Sequence, residues 1–267
     1  MARLLDALSA PSPAIERVAL AIAADAYPTL DEGHYLEVLD GFASELRADL
    51  AGCSGHTARL ATLTDYVYGK LGFSGNTEDY YDPRNSYLND VLDRRRGIPI
   101  SLAVLLMALG RRVGLEIDGI GFPGHFIVRF GGEGGVYVDP FNEGRLLATE
   151  QLAHMAKHVV PKGAAVPMDP VSPKAMAVRM LFNLQKIHER RGEGARALVV
   201  CDRLIDIAPS VPFHRRDRGL HAFSLRAFDV AIDDFEAYLH MAPEAGDRPR
   251  IESLLASARD VQTRTLN

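Results

Sequence analysis

Three residues have the types and spacing from which acyl-transfer chemistry is built: Ser101, His125 and Asp139. Ser101 falls in RRRGIPISL (94–102), at the mouth of the most apolar stretch of the chain, AVLLMALG. A serine in the first turn of a helix meets free backbone N–H groups and the positive end of the helix dipole, which favour an oxyanion. His125 opens an alternating apolar and polar segment just after Pro123 and Gly124, and Asp139 closes the next such segment before Pro140. Antiparallel pairing of those segments would set the histidine beside the acid. A base oriented by a carboxylate and facing a nucleophile is the logic of a catalytic triad. Each residue also has a plain alternative: Ser101 as a helix-start serine satisfying a backbone N–H, His125 as a hydrogen-bonded strand histidine, Asp139 as the start of an Asp-Pro turn.

The elements that must position these residues follow from periodicity. AIERVALAIAADAYP repeats apolar residues at helical spacing until Pro28. HYLEVLDGFASELRADL puts Leu36, Leu39, Phe42, Leu46 and Leu50 on one stripe, and HTARLATLTDYVYGKLGF repeats that pattern. After a polar loop, SGNTEDYYDPRNS, YLNDVLDRRR predicts a short helix, and a buried helix opens at Pro99. Strands are expected near 117–122, 125–130 and 135–139, with GGEGG as a hairpin turn. A short helix is expected from Thr149 through His158, and VVPKGAAVPMDPVSP reads as a linker ending near Pro173. Beyond it, ALVVCDRLIDIAPS and AIDDFEAYLHMAPE align at an offset of 34 residues, the period of a tetratricopeptide helix pair. RPRIESLLASARDVQ then serves as a capping helix.

Chain order separates triad types. Hydrolases of the α/β class run serine, acid, histidine around a G-x-S-x-G elbow, and this chain has neither feature. A nucleophile on a helix followed by histidine and acid on successive strands is the order of papain-like and transglutaminase-like folds. The blocks NSYLNDVLDRRRGIPISLAVLLMALGRRVGL, GFPGHFIVRF and VDPFNEG closely resemble the SirB family, over about residues 10 to 260. That resemblance implies an α+β fold: a papain-like, transglutaminase-like core with an antiparallel sheet, an N-terminal helical cap and C-terminal tetratricopeptide-like helices. The expected organisation is a transglutaminase-like domain at 1–160 (cap about 10–93, core about 94–160), a linker at 161–173 and a helical domain at 174–267. It also implies a transglutaminase-like nucleophile at Ser101, with His125 and Asp139 as base and acid, where transglutaminases carry cysteine. A thiol is readily held as thiolate beside a protonated histidine, whereas a serine must lose its proton during reaction to a well-placed base.

The remaining polar motifs read as follows. Asn85, Asn89 and Asp90 with the run Arg94–Arg96 form either a network tying the helical cap to the core or, through Asn85, Asn89 or Arg96, a substrate contact. His154 and His158 share a helix face but lack the HExxH glutamate, so a surface helix outweighs a metal site. HRRDR (214–218) reads as a solvated basic face, with a rim contact for an acidic peptide as the alternative. No cofactor is implied, because no glycine-rich phosphate loop follows a strand.

Composition bounds the function. With 267 residues, a net charge of −5 and pI near 6.0, bulk charge gives no support to nucleic-acid binding. Two cysteines, Cys53 and Cys201, make no disulfide framework and suit the cytoplasm. The N-terminus has no signal-peptide pattern, and no apolar run is long enough to span a bilayer. Two functions are expected to compete: a regulatory module binding a protein or peptide through its tetratricopeptide-like helices, and a Ser-His-Asp enzyme (hydrolase, deamidase or transglutaminase-like) acting on a protein or peptide amide. Nothing in the sequence fixes the oligomeric state.

Overall fold

The structure is a computed structural model that describes residues 2–157, 159–161, 164 and 166–266, with the side chains of 2, 265 and 266 left aside. Helices α1 (Ala2–Ser9), α2 (Ile15–Ala23), α3 (Glu32–Leu50) and α4 (His56–Thr64) come first, and α4 runs on into a π-helical turn at Asp65–Lys70. A two-residue strand β1 (Ser74–Gly75), a 3-10 turn at Pro83–Asn85, α5 (Leu88–Arg94) and a second two-residue strand β2 (Arg96–Gly97) lead to α6 (Pro99–Val113). Four strands follow: β3 (Ile117–Ile120), β4 (Ile127–Phe130), β5 (Val136–Asp139) and β6 (Arg145–Leu147). The chain closes with α7 (Thr149–Ala156), α8 (Pro173–Arg190), α9 (Gly194–Ile207), α10 (Pro212–Ser224), α11 (Phe228–Met241) and α12 (Arg248–Leu266).

Helix α6 is apolar on every face, and residues 99–106 and 108–110 are all buried. A helix of that kind is stable only when covered all round. Here α2, α3 and α5 pack on it from one side and β3 and β4 from the other. Proline at its first position matches the fixed φ and missing N–H that a helix start tolerates. Gly114, left-handed at φ 71°, ends it. The same end is tied down by charge. Glu16 of α2 is fully buried and receives Arg111 and Arg112, the latter at 2.7 Å. Arg112 also reaches Asp40 of α3 at 2.6 Å, and Arg47 donates to the Arg112 carbonyl at 2.8 Å.

The sheet is antiparallel in the order β3-β4-β5-β6, with Val128 opposite Val138 and Tyr137 opposite Leu147. The sequence pattern foretells β3, β4 and β5 but not β6, which is three residues long with two exposed positions and so carries almost no alternation. Residues 161–173, expected as a linker, include Pro170, bridged to Ile120, and Val171, whose N–H donates to the Gly119 carbonyl at 2.9 Å. Val166 and Met168 pack with Ile120, Phe122 and Ile127.

By contacts the chain divides into two compact units, Ala2–Met180 and a second from Leu181 onward, so the division falls inside α8. The second unit buries Ala222, Ala231, Phe235, Tyr238, Ile251 and Leu255. Its polar interior is dense. Asp234 is fully buried and accepts from Arg215 and Arg218, Arg218 also meets Asp202 at 2.6 Å, and Arg216 spans Asp217 and Asp247. The HRRDR segment, expected as a solvated face, therefore points Arg215 and Arg218 at acids of α9 and α11, partners brought near only by folding, while Arg216 meets its neighbour Asp217 and Asp247, just before α12.

Two stability predictions arise here. Removing the buried carboxylate in Glu16→Ala is expected to destabilise the chain by about 3 kcal/mol in urea unfolding, since Arg112 keeps its buried position but loses a partner. Burial holds His188 and His214 below the usual histidine range although Glu193 pulls His188 the other way. They are neutral in the folded unit, while the unfolded chain takes up protons from about pH 6.5 downward. Stability of the helical unit should therefore fall as pH drops below that value, and melting curves of a His188→Gln, His214→Gln variant should show a flatter fall between about pH 7.5 and 5.5.

Candidate functional site

Asp139 ends β5, and Pro140 then sends the chain into the turn Pro140–Gly144, closed by the Gly144 N–H donating to the Asp139 carbonyl at 2.9 Å. Its carboxylate is almost wholly buried and accepts four hydrogen bonds: His125 Nε2 at 3.0 Å, the backbone N–H groups of Phe141 at 3.0 Å and Asn142 at 3.2 Å, and Asn142 Nδ2 at 2.8 Å. Burial alone would raise its pKa, but the hydrogen bonds from His125 and Asn142 hold it below the usual carboxylate range. The acid is ionised in the fold and serves as a fixed orienting charge for the histidine.

His125 does not lie in a strand. It closes a β-turn in which Pro123 takes the second position and Gly124 the third, at φ 72°, and its N–H donates to the Phe122 carbonyl at 3.0 Å. Only glycine adopts that third position without strain, which is the type II pattern. The alternation expected from residue 125 starts instead at Ile127, because the turn consumes the first residues of the segment. The ring is one-sixth exposed, and its Nδ1 has no protein hydrogen bond among the described residues. A histidine bound by carboxylate at one nitrogen and open at the other is poised to accept or relay a proton at Nδ1.

Ser101 sits at the third position of α6 with 1% of its surface exposed. Its Oγ accepts the Ile98 N–H at 3.0 Å and donates to the Asn85 carbonyl at 2.7 Å, with the Ile98 carbonyl at 3.1 Å. This is the returning half of a capping box: a side chain at the third helical position satisfying the N–H of the cap residue. Among the described residues no hydrogen bond joins Ser101 to His125. The structure thus joins two of the three expected residues by a hydrogen bond.

The serine is also walled in. Gly97 pairs with Gly75 in the short β1–β2 ladder, and a Cβ on Gly97 would stand 2.7 Å from Ser101 Oγ. A Cβ on Gly75 would stand 2.6 Å from the Phe141 ring. Both positions need glycine because the neighbouring side chains already fill the space.

The other expected contacts are placed as follows. Asn85 is fully buried, with Nδ2 on the Asp79 and Tyr80 carbonyls and Oδ1 accepting from Asn76. Asn89 lies buried on α5, and Arg96 pairs at the surface with Glu78 at 2.9 Å. None of the three hydrogen-bonds to His125 or Asp139 among the described residues. Asp90 and Asp93 accept from Tyr27 and Tyr35, and Arg94 and Arg84 converge on Asp82, so this polar run braces the helical cap. His154 is exposed on α7, while His158 lies outside the described residues. Among the described residues no three His, Cys, Asp or Glu side chains are grouped to hold a metal ion, and no helix is long and apolar enough to cross a membrane.

Sequence reasoning missed three contributors. Asn142 holds the acid from within the quoted VDPFNEG block. Tyr68, on the π-helical turn, donates to the Pro140 carbonyl at 3.0 Å. Arg179 of α8 donates to the carbonyls of Phe122 and His125. The last two act across 72 and 54 residues of chain, and no local pattern announces them.

The packing around Ser101 sets a quantitative expectation. Ser101→Ala should cost about 1–2 kcal/mol, since the buried Ile98 N–H keeps only the longer 3.4 Å bond to the Asn85 carbonyl, which itself loses the Ser101 hydroxyl. Gly97→Ala should cost about 1–3 kcal/mol by overpacking. Because Oγ is the atom a new Cβ meets first, the double variant should be less destabilised than the sum. A double-mutant cycle by urea unfolding that gives strict additivity would contradict the contact.

Comparison with known proteins agrees with this architecture. Residues 33–182 match the model of the transglutaminase-like superfamily, and residues 184–256 that of a tetratricopeptide repeat. A UPF0162 protein of Xylella fastidiosa (strain Temecula1) is 39% identical over 232 residues, 84% of this chain and 83% of that one. The mouse F-box only protein 21 is 34% identical over 143 residues, 50% of this chain and 22% of that much longer protein. Among solved structures, menin aligns over 95% of this chain and 72% of its own at 13% identity, with a TM-score of 0.40. The chain belongs to the transglutaminase-like superfamily, with a tetratricopeptide repeat after the core, and is a member of the UPF0162 family.

Proposed function

We propose that this chain is a protein-binding, regulatory member of the SirB type, acting in the cytoplasm, whose core retains the form of a transglutaminase-like site without using Ser101 as a nucleophile. The observation that carries this reading is the engagement of the Ser101 hydroxyl. Its single proton goes to Asn85, its lone pair takes the Ile98 N–H, and His125 is not among its partners. A serine is activated only by a base within hydrogen-bond reach of its proton. Turning Oγ toward His125 would forfeit two buried hydrogen bonds and leave the cap of α6 open. Both cysteines are free, which suits a reducing compartment.

Partner binding falls to the helical unit, since stacked helix pairs present extended surfaces for other proteins. Phe182 on α8 and Phe213 on α10 are about half exposed, each beneath a cation, Lys186 and Arg216 respectively. Aromatics held under cations at a surface are anchors of the kind that dominate protein interfaces. The intact His125–Asp139 pair favours the enzyme reading as the rival, with acyl transfer from an amide through Ser101. One experiment separates the two: labelling with a fluorophosphonate probe, beside capture of partners from the organism's own cells. The expected result is no label that depends on Ser101, and capture that survives Ser101→Ala but is lost in Phe182→Glu, Phe213→Glu. Label on the wild type that disappears in both Ser101→Ala and His125→Ala would sink the proposal.

A further inference from the structure

Arg179 is the unusual charge in the neighbourhood of His125. Its Nη2 donates to the carbonyls of Phe122 and His125, the two ends of the turn that carries the histidine, and its guanidinium lies over the Phe126 ring at 5.3 Å. The plane of the group is therefore fixed. Among the described residues Nη1 and Nε have no protein acceptor, and no carboxylate stands within ion-pair distance. Most other internal arginines of this core are paired differently: Arg112 has Glu16 and Asp40, Arg94 has Asp82, and Arg129 has Asp118.

Neutral carbonyls satisfy donors but do not neutralise a cation, and a half-buried charge without a counter-ion stays costly. Burial pulls the Arg179 guanidinium below its ordinary range, with only Tyr80 acting in the opposite direction. Tyr80 completes the surroundings. Its ring meets Phe141 edge-on at 5.8 Å, beside the loop that carries Asp139, and its side chain is two-fifths exposed. Desolvation keeps its phenol protonated, and Arg179 is the one cation acting on it among the described residues.

We propose that Arg179 anchors a carboxylate-bearing ligand beside the His125–Asp139 pair. One unpaired guanidinium matches one negative charge, which favours a carboxylate over a phosphate dianion. Nη1 offers two N–H groups to it, and charge-assisted bonds of this kind are the strong ones. The carboxylate comes from either a small organic acid or the C-terminus of a peptide, and both present the same group. The inference does not depend on whether Ser101 reacts, so its failure leaves the previous reading untouched.

The test is calorimetric titration of the full chain, at constant ionic strength, with butyrate, N-acetylglycine as a mimic of a peptide C-terminus, and inorganic phosphate. The expected result is saturable binding of butyrate or N-acetylglycine, with whichever binds tighter naming the source. Affinity should fall about tenfold or more in Arg179→Gln and less in Arg179→Lys, which keeps the charge but not the donor geometry. Because Arg179 also holds the His125 turn, melting curves accompany each titration, and weaker binding in Arg179→Lys at an unchanged melting temperature separates lost donor geometry from a lost fold. Absence of saturable carboxylate binding by the wild type, binding unchanged in Arg179→Gln, or preference for phosphate would each overturn the proposal.

Discussion

The first unit is organised by the need to cover one helix on all sides. α6 has no polar face to offer water, so three helices and two strands are arranged around it. Such a helix still has two ends whose backbone groups require partners. At the N-terminal end the Ser101 hydroxyl and the Asn85 carbonyl meet the Ile98 N–H. At the C-terminal end two arginines are drawn onto a buried glutamate of α2, and Arg47 of α3 reaches the Arg112 carbonyl. The polar residues of the region are thus assigned to closing a cylinder, and Ser101 is one of them.

The two compact units solve burial in opposite ways. The core unit hides aliphatic and aromatic surface around α6 and the sheet, with few buried charges. The helical unit buries Asp234 among arginines and threads Gln185, Glu189, Asp217 and His221 between its helices. Ionic interiors of this sort add little net stability against apolar packing, but they penalise misregistered pairings, because each charge then loses its partner.

How much of this was legible in the residues depended on range. The strands β3 to β5, the buried α6 and the 34-residue offset between Ala197 and Ala231 rest on local periodicity, and each stood out. Antiparallel pairing of the two alternating segments was enough to set His125 beside Asp139, and the register delivers that contact. Ser101 was seen as a helix-start serine and as a nucleophile, and the residues alone held both readings open. Its hydrogen-bond partner, Asn85, lies 16 residues upstream, at the end of a 3-10 turn too short to leave a periodic signal. The arginines of 214–218 looked solvated because, apart from Asp217 beside Arg216, their acids sit 16 to 31 residues away, on α9, on α11 and just before α12. Arg179 was unremarked for the same reason: its significance lies in what it lacks nearby, which a linear string does not display.

One small contact has a wider consequence. The outer edge of β3 is met by Pro170 and Val171, through the bridge to Ile120 and the bond to the Gly119 carbonyl. Exposed strand edges invite pairing with other chains. Proline has no N–H to extend a ladder, so a segment ending the sheet with this residue adds cover without creating an equivalent new edge. That margin is closed to templated growth by a single imide nitrogen, a form of protection against self-association that costs the chain only a few ordered residues.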